Sequence, residues 1–112
     1  MRLVFNKQNK DIFIAIRDGI KKVETRAATS KYQNIKNGDS LTFSCDGEIF
    51  YRKISKVTYF KSIKLMLEVY KPEEINPNIF TNKEIMTMYA SFPGYEEKIK
   101  EFGLVALLLD EE

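Results

Sequence analysis

Gly19 to Arg26, GIKKVETR, places two ammonium groups, a carboxylate and a guanidinium in eight residues, with one valine among them. Alternate side chains of an extended strand share a face. With Val23 turned into a core, Lys22, Glu24 and Arg26 turn away from it together. Lys21, at a corner where alternation has not yet set in, can lean towards Glu24 and Arg26. One reading is a solvated strand whose cross-strand ion pairs are worth under about 1 kcal/mol each. The other is a cleft wall in which Arg26 keeps Glu24 ionised and oriented while Lys21 meets a phosphate, a carbonyl or a base edge. Spacing alone leaves both open.

Composition narrows the chemistry. Histidine is absent, which removes the usual general base and the commonest metal ligand. Zinc hydrolysis and Ser-His-Asp or Cys-His catalysis are excluded with it, leaving Lys, Glu, Asp, Tyr, Ser and Thr. Cys45 is the one cysteine, so neither an internal bridge nor a CxxC site can form; a buried place on a strand is expected for it. No metal and no cofactor are expected. The net charge of +2 hides an asymmetry: residues 1–56 carry 12 basic against 6 acidic side chains, residues 57–112 carry 6 against 10. A basic half suits a polyanionic or phosphate-bearing partner, and also suits plain surface lysines.

The 112 residues are read as one domain, 1–112, able to build a core without staples. No apolar run approaches the roughly 20 residues that span a bilayer. The opening MRLVFNKQNK is too weakly apolar for a signal peptide. A cytoplasmic protein with no membrane contact is the expectation.

The elements that must hold the charged segment follow from periodicity. RLVF (2–5) reads as a strand. Asp11 to Asp18 carries Ile12, Phe13 and Ile16 at helical spacing, with Asn9 or Asp11 as cap and Gly19 as the stop. KKVETR follows as a strand favoured by Val23 and Thr25. Residues 27–37 are irregular, and Asn37-Gly38-Asp39 is a turn. LTFSC (41–45) alternates as a half-buried strand, Asp46-Gly47 makes a hairpin, and EIFYRKISKVTYF returns. Its apolar parity slips, which a bulge near Arg52–Ile54 repairs where a sheet curls. Residues 62–67 read as helical, with a further turn at Pro72–Ile75. Thr81 and Glu84 form a capping box for a helix to about Ala90, and YEEKIKEF makes another before Gly103. LVALLL (104–109) fits a strand buried on both faces. Phe43, Phe50, Tyr59, Phe60 and Phe102 are assigned to the core, Met86, Met88 and Tyr89 to packing, and Tyr95 to the neighbourhood of the cleft. The order gives an α+β domain around a small curved sheet.

Gly19-x-Lys21-x-Val23-Glu24-x-Arg26 followed by Gly38-Asp39 resembles the signature of ASCH domains in the PUA-like superfamily. The strand into Val57-Thr58-Tyr59-Phe60, the helix with Met66-Leu67, the Pro72-Glu73-Glu74 loop and Gly103 before an apolar strand extend the resemblance over nearly the whole chain. It implies a small PUA-like β-barrel, mixed and curved, flanked by short helices, with Lys21, Glu24 and Arg26 lining a cleft beside it and RNA or a nucleotide as ligand. Gly38 and Asp39 then order a turn. Lys22, Lys31, Tyr32 and Lys36 extend the rim, Tyr32 offering a stacking face. One branch of the family hydrolyses N4-acetylcytidine with a Thr-Lys-Glu trio, and another member is described as a ribonuclease. The resemblance places Lys21 at the lysine and Glu73 or Glu74 at the glutamate, whereas Glu24 stands where the threonine belongs. A metal-independent hydrolase would therefore use Lys21, Glu24 and Glu74 differently, with a carboxylate activating water and Lys21 stabilising the oxyanion.

Overall fold

The hairpin of β3 (Ser40–Cys45) and β4 (Glu48–Phe60) is the frame of the molecule. The computed structural model describes residues 1–110; the last two residues of the expected 1–112 domain lie outside the described residues. β4 serves two neighbours in turn. Its first half, Glu48 to Lys53, pairs antiparallel with β3. From Ile54 to Phe60 it pairs antiparallel with β5 (Leu104–Leu109), with a register shift between Ile54 and Lys56. The shift lies just beyond the expected Arg52–Ile54, at the point where the strand changes partner, and there it bends the sheet.

Two short strands finish the sheet. β1 (Arg2–Phe5) lies parallel to β3, and β2 (Val23–Ala27) lies antiparallel to β5, giving the order β1-β3-β4-β5-β2. β1 and β2 are thus the two ends, and they do not pair with each other. The result is the expected α+β architecture, a mixed, curled five-stranded sheet with short helices, in the form of a half-barrel with one open seam.

Two apolar clusters pack on opposite sides of the sheet. Inside the curl lie Leu3, Leu41, Phe43, Val105 and Leu107 with Phe13 and Ile16 of α1 (Lys10–Arg17). The Phe43 and Phe50 rings stack there with centroids 5.0 Å apart. Outside the curl, Val23, Ala27, Leu104 and Ala106 meet α2 (Ile63–Met66), α3 (Pro72–Ile75), α4 (Asn82–Ser91) and α5 (Tyr95–Phe102) through Met66, Ile75, Ile85, Tyr89 and Ile99. β5 feeds both clusters alternately, so its unbroken apolar run has the two-sided burial expected of it. Three assignments to the interior are corrected. Tyr59, Phe102 and Met86 are all exposed. The Tyr59 hydroxyl donates to the carbonyl of Tyr32 at 2.6 Å, and Phe102 sits on the solvent side of the last turn of α5.

The junction of α5 and β5 fixes where β2 runs. Gly103 has φ +76°, and a Cβ there would stand 2.4 Å from the carbonyl oxygen of Phe60. Only glycine fits this approach. Its own carbonyl accepts from the amide of Ala28 at 2.9 Å, tying the end of β2 to the start of β5.

Candidate functional site

A cavity of about 530 Å³ opens at the seam between β1 and β2. β1 contributes Val4 and Phe5, and β2 contributes Glu24, Thr25 and Arg26. The turn before α1 adds Asn6, Gln8 and Asn9. Asn76 and Asn78 close the side after α3, and Tyr89, Phe92 and Tyr95 form an aromatic wall beside Met88. The volume is in the range of small-molecule sites.

Alternation along β2 sorts its side chains. Val23 and Ala27 enter the outer apolar cluster. Glu24, opposite Leu107 of β5, and Arg26, opposite Val105, take the other parity, towards the interior of the curl. Lys21 comes to the same point from the corner after α1, where its amide and that of Ile20 both donate to the carbonyl of Ala15. Its ammonium lies 3.3 Å from Glu24 Oε1, and Arg26 donates to Glu24 Oε2 at 2.9 Å. The Glu24 carboxylate also accepts from the amide of Thr25 at 3.2 Å, and the Lys21 ammonium donates to the carbonyl of Val23. Side-chain exposure is 3 % for Lys21, 8 % for Glu24 and 27 % for Arg26. The guanidinium reaches across the seam, 5.6 Å from the centre of the Phe5 ring.

Burial drives these charges apart from their ordinary behaviour. It would raise the Glu24 pKa, but Lys21 and Arg26 together outweigh it and hold the carboxyl below the usual carboxylate range. Burial lowers the pKa of Lys21; Glu24 opposes the shift and Arg26 adds to it. The carboxylate has two cationic partners, whereas Lys21 shares its single anion. For Arg26, burial works against the charge and Glu24 prevails, so the guanidinium stays charged. Burial raises the phenols of Tyr89 and Tyr95, which stay neutral. Their rings are parallel with centroids 6.2 Å apart. Tyr89 shares a hydrogen bond with the Thr25 hydroxyl, and the Tyr95 hydroxyl accepts from the amide of Ala27 at 3.1 Å.

The other residues singled out in the sequence fall elsewhere. Lys22 is exposed and lines a separate hollow with Arg17 and Arg52. Lys31 is exposed and lies against the Tyr32 ring, 5.6 Å from its centre. Tyr32 itself is buried in the inner apolar cluster, so its ring offers no open stacking face. Glu74 is exposed, outside the cavity, and its Oε1 accepts from the amide of Lys71 at the start of α3. Gly38 (φ +91°) and Asp39 form the turn before β3, the Asp39 carboxylate accepting from the amide of Lys36 at 3.0 Å. This turn is also remote from the cavity lining. Thr25, Tyr89 and Phe5 went unnoticed as site residues. Thr25 was visible only as a strand former, and Phe5 reaches the site through the meeting of two strand edges, which no local pattern records. Among the described residues no group of acidic or cysteine side chains could hold a metal ion.

A small half-barrel with a buried ion triad at its seam defines the class. The ASCH domain family matches residues 9–110, and the chain belongs to that family. Two solved structures share the fold. The crystal structure of the hypothetical protein PH0355 is 30 % identical, with 98 % of each chain covered and a TM-score of 0.80. The solution NMR structure of protein PF0455 from Pyrococcus furiosus is 26 % identical over 98 % of this chain and 96 % of that one, with a TM-score of 0.72. No curated protein gives a significant match. No helix among the described residues is long and apolar enough to cross a membrane.

Proposed function

We infer that this ASCH domain binds RNA or a nucleotide-like ligand in the seam cavity, acting as one domain in the cytoplasm without metal or cofactor. The observation that carries this reading is the triad of Lys21, Glu24 and Arg26 in a cavity with an aromatic wall. The triad sums to one positive charge, and Arg26 is its most accessible member. An anionic oxygen near Arg26 would be attracted there. Exposed Asp11 at the rim cancels that charge over the lining as a whole, so the interior suits a base or nucleoside with one phosphate better than a polyphosphate. The amides at the mouth supply donors and acceptors for base edges, and the aromatic wall supplies stacking surface. Titration of a single-stranded RNA across moderate salt tests this. Affinity should fall steeply as salt rises because counterions are released, and Arg26→Ala should weaken it. Absence of RNA affinity at every salt concentration overturns the reading.

A second reading, a metal-independent hydrolase, draws on the convergence of Lys21, Glu24 and the Thr25 hydroxyl at one cavity. In an N4-acetylcytidine-type reaction a base would take the proton of water as it attacks the acyl carbon, Lys21 would stabilise the oxyanion, and the amine would leave with the proton. Ribonuclease action would use Lys21 and Arg26 on a phosphodiester. The hydrolase ranks second because Glu24, held below the usual carboxylate range by two cations, is a poor base, and Glu74 stands outside the cavity. Incubation with N4-acetylcytidine, read by release of cytidine, tests it. Activity that survives Lys21→Ala removes the role of Lys21.

A further inference from the structure

The outward face of β1, β3 and β4 has an unusual composition. In register across the three strands, Arg2 stands opposite Thr42 and Tyr51, Val4 opposite Ser44 and Ile49, and Ser40 opposite Lys53. Tyr51 is 65 % and Val4 66 % exposed. A sheet face turned to water is ordinarily polar. Here Tyr51 shares the middle row with Arg2, Lys53 stands in the next row on one side, and Val4 and Ile49 occupy the row on the other. The eight outward positions hold two cations and no carboxylate. Among the described residues, the Tyr51 ring and hydroxyl make no hydrogen bond or ring contact, and neither Arg2 nor Lys53 joins an ion pair. Asp110, whose amide donates to the carbonyl of Lys53, lines the hollow beside Arg17 and Arg52.

Two occupants would cover such a face. A second copy of the chain, docked by two-fold symmetry, would set this patch against itself and gather two cations from each copy, with no carboxylate, in one interface. A single nucleic-acid strand meets no such penalty. Its phosphates complement both cations, and every base has a face that stacks on an aromatic ring. Neighbouring strands stand about 4.8 Å apart and alternate residues about 6.8 Å apart. Arg2, two strands from Tyr51 in the same row, and Lys53, two residues further along β4, therefore stand on two adjacent sides of the ring, at a reach suited to the phosphates of one stacked nucleotide. Val4 also lines the seam cavity, so the face begins where the cavity ends.

We propose that the outward face of β1, β3 and β4 is a second contact for single-stranded RNA, with a base stacked on Tyr51 and its flanking phosphates held by Arg2 and Lys53. The proposal rests on the RNA-binding reading and extends it from one nucleotide in the cavity to a strand that continues across the sheet. Fluorescence anisotropy with a labelled decauridylate tests it at several salt concentrations. Tyr51→Ala should weaken binding about tenfold or more, while Tyr51→Phe keeps the stacking face and the affinity. Replacing Arg2 and Lys53 by alanine should lower the slope of log affinity against log salt by about 0.7 for each lost phosphate contact. If the intact protein binds the decamer and Arg26→Ala weakens it but Tyr51→Ala does not, the second contact falls and the cavity reading stands. If the intact protein does not bind the decamer, both fall. If sedimentation shows a dimer that Tyr51→Ala dissociates, the face belongs to a second copy and the proposal is overturned.

Discussion

β1 meets the open seam with Val4 and Phe5, whereas β2 meets it with Glu24 and Arg26. Unpaired strand edges invite association with another chain, and proteins blunt them by shortness, by charge or by cover. β1, four residues long, is blunted by its brevity. β2 carries inward-pointing charge, and the difference has an energetic side. An apolar edge asks nothing of its neighbours beyond contact. A buried carboxylate needs both cations in place, and replacing such a cluster by packed hydrophobes is often neutral or stabilising. Stability therefore does not explain why β2 is charged, whereas the proposed binding of a ligand at the seam would.

The sharpest way to break this contrast is to remove the anion alone. Glu24→Gln keeps the shape and leaves Lys21 and Arg26 buried without a counter-charge, which should cost about 3–5 kcal/mol in urea denaturation. Lys21→Met leaves Glu24 still paired with Arg26 and should cost clearly less. Equal losses would mean that Glu24 is not the shared counter-charge on which both cations depend.

Acid should erase the same advantage gradually. The folded pKa of Glu24 lies below the unfolded value of about 4.3. Its contribution is therefore fully present above that value and is lost as pH falls through the folded pKa, at no more than about 1.4 kcal/mol per pH unit. The gap between the intact protein and Glu24→Gln should narrow only below the ordinary carboxylate range. Lys21 acts at the other end. Its folded pKa is lowered, so between that value and about 10.4 the unfolded chain binds more protons and stability rises with pH. Lys21→Met should flatten that alkaline rise, and a gap at acid pH that never narrows would refute the assignment for Glu24.

Tyr95 tests how the aromatic wall is attached to β2. Tyr95→Phe keeps the ring beside Tyr89 and removes the acceptor of the Ala27 amide. A loss of about 1 kcal/mol is expected, measured by thermal unfolding. RNA affinity should fall with it if the hydroxyl also meets ligand, and should stay unchanged if it serves only the strand.

These effects separate what the sequence could say from what it could not. Alternation around Val23 is a local property, so the common face of Glu24 and Arg26 was legible, as were β5, the hairpin and the N-cap at Thr81, whose hydroxyl accepts from the amide of Glu84 at 3.2 Å; the reciprocal half of the expected capping box is replaced by a bond from that hydroxyl to the Glu84 carboxylate. The depth of burial was not legible. An edge strand reads as half exposed, yet β2 is covered on one face by α3 to α5 and on the other by the curl, and neither cover is sequence-local. The bulge was displaced because parity marks that a slip occurs, while its place is set by where β4 exchanges β3 for β5. Tyr32 as a rim residue and Glu74 as a catalytic candidate of the hydrolase reading missed the cavity for a related reason: packing in one case and capping in the other had already used the side chain.

The smallest effect is a contact that crosses the seam. Arg26 stands over Phe5 at 5.6 Å, and Phe5 also packs on Phe13 and Phe43 with centroids 5.9 and 6.2 Å away. Phe5→Leu alone would therefore mix lost packing with lost cation–π attraction. A double-mutant cycle with Arg26→Gln isolates the pair, and its coupling should be about 0.5–1 kcal/mol, as for partly exposed cation–π contacts. Ligand should change that number. A bound anion that engages Arg26 draws the guanidinium from the ring and should reduce the coupling, whereas a base sandwiched against both should increase it. A coupling indistinguishable from zero, with and without RNA, would mean that the two edges share a gap without interacting across it, and that β2 alone makes the site.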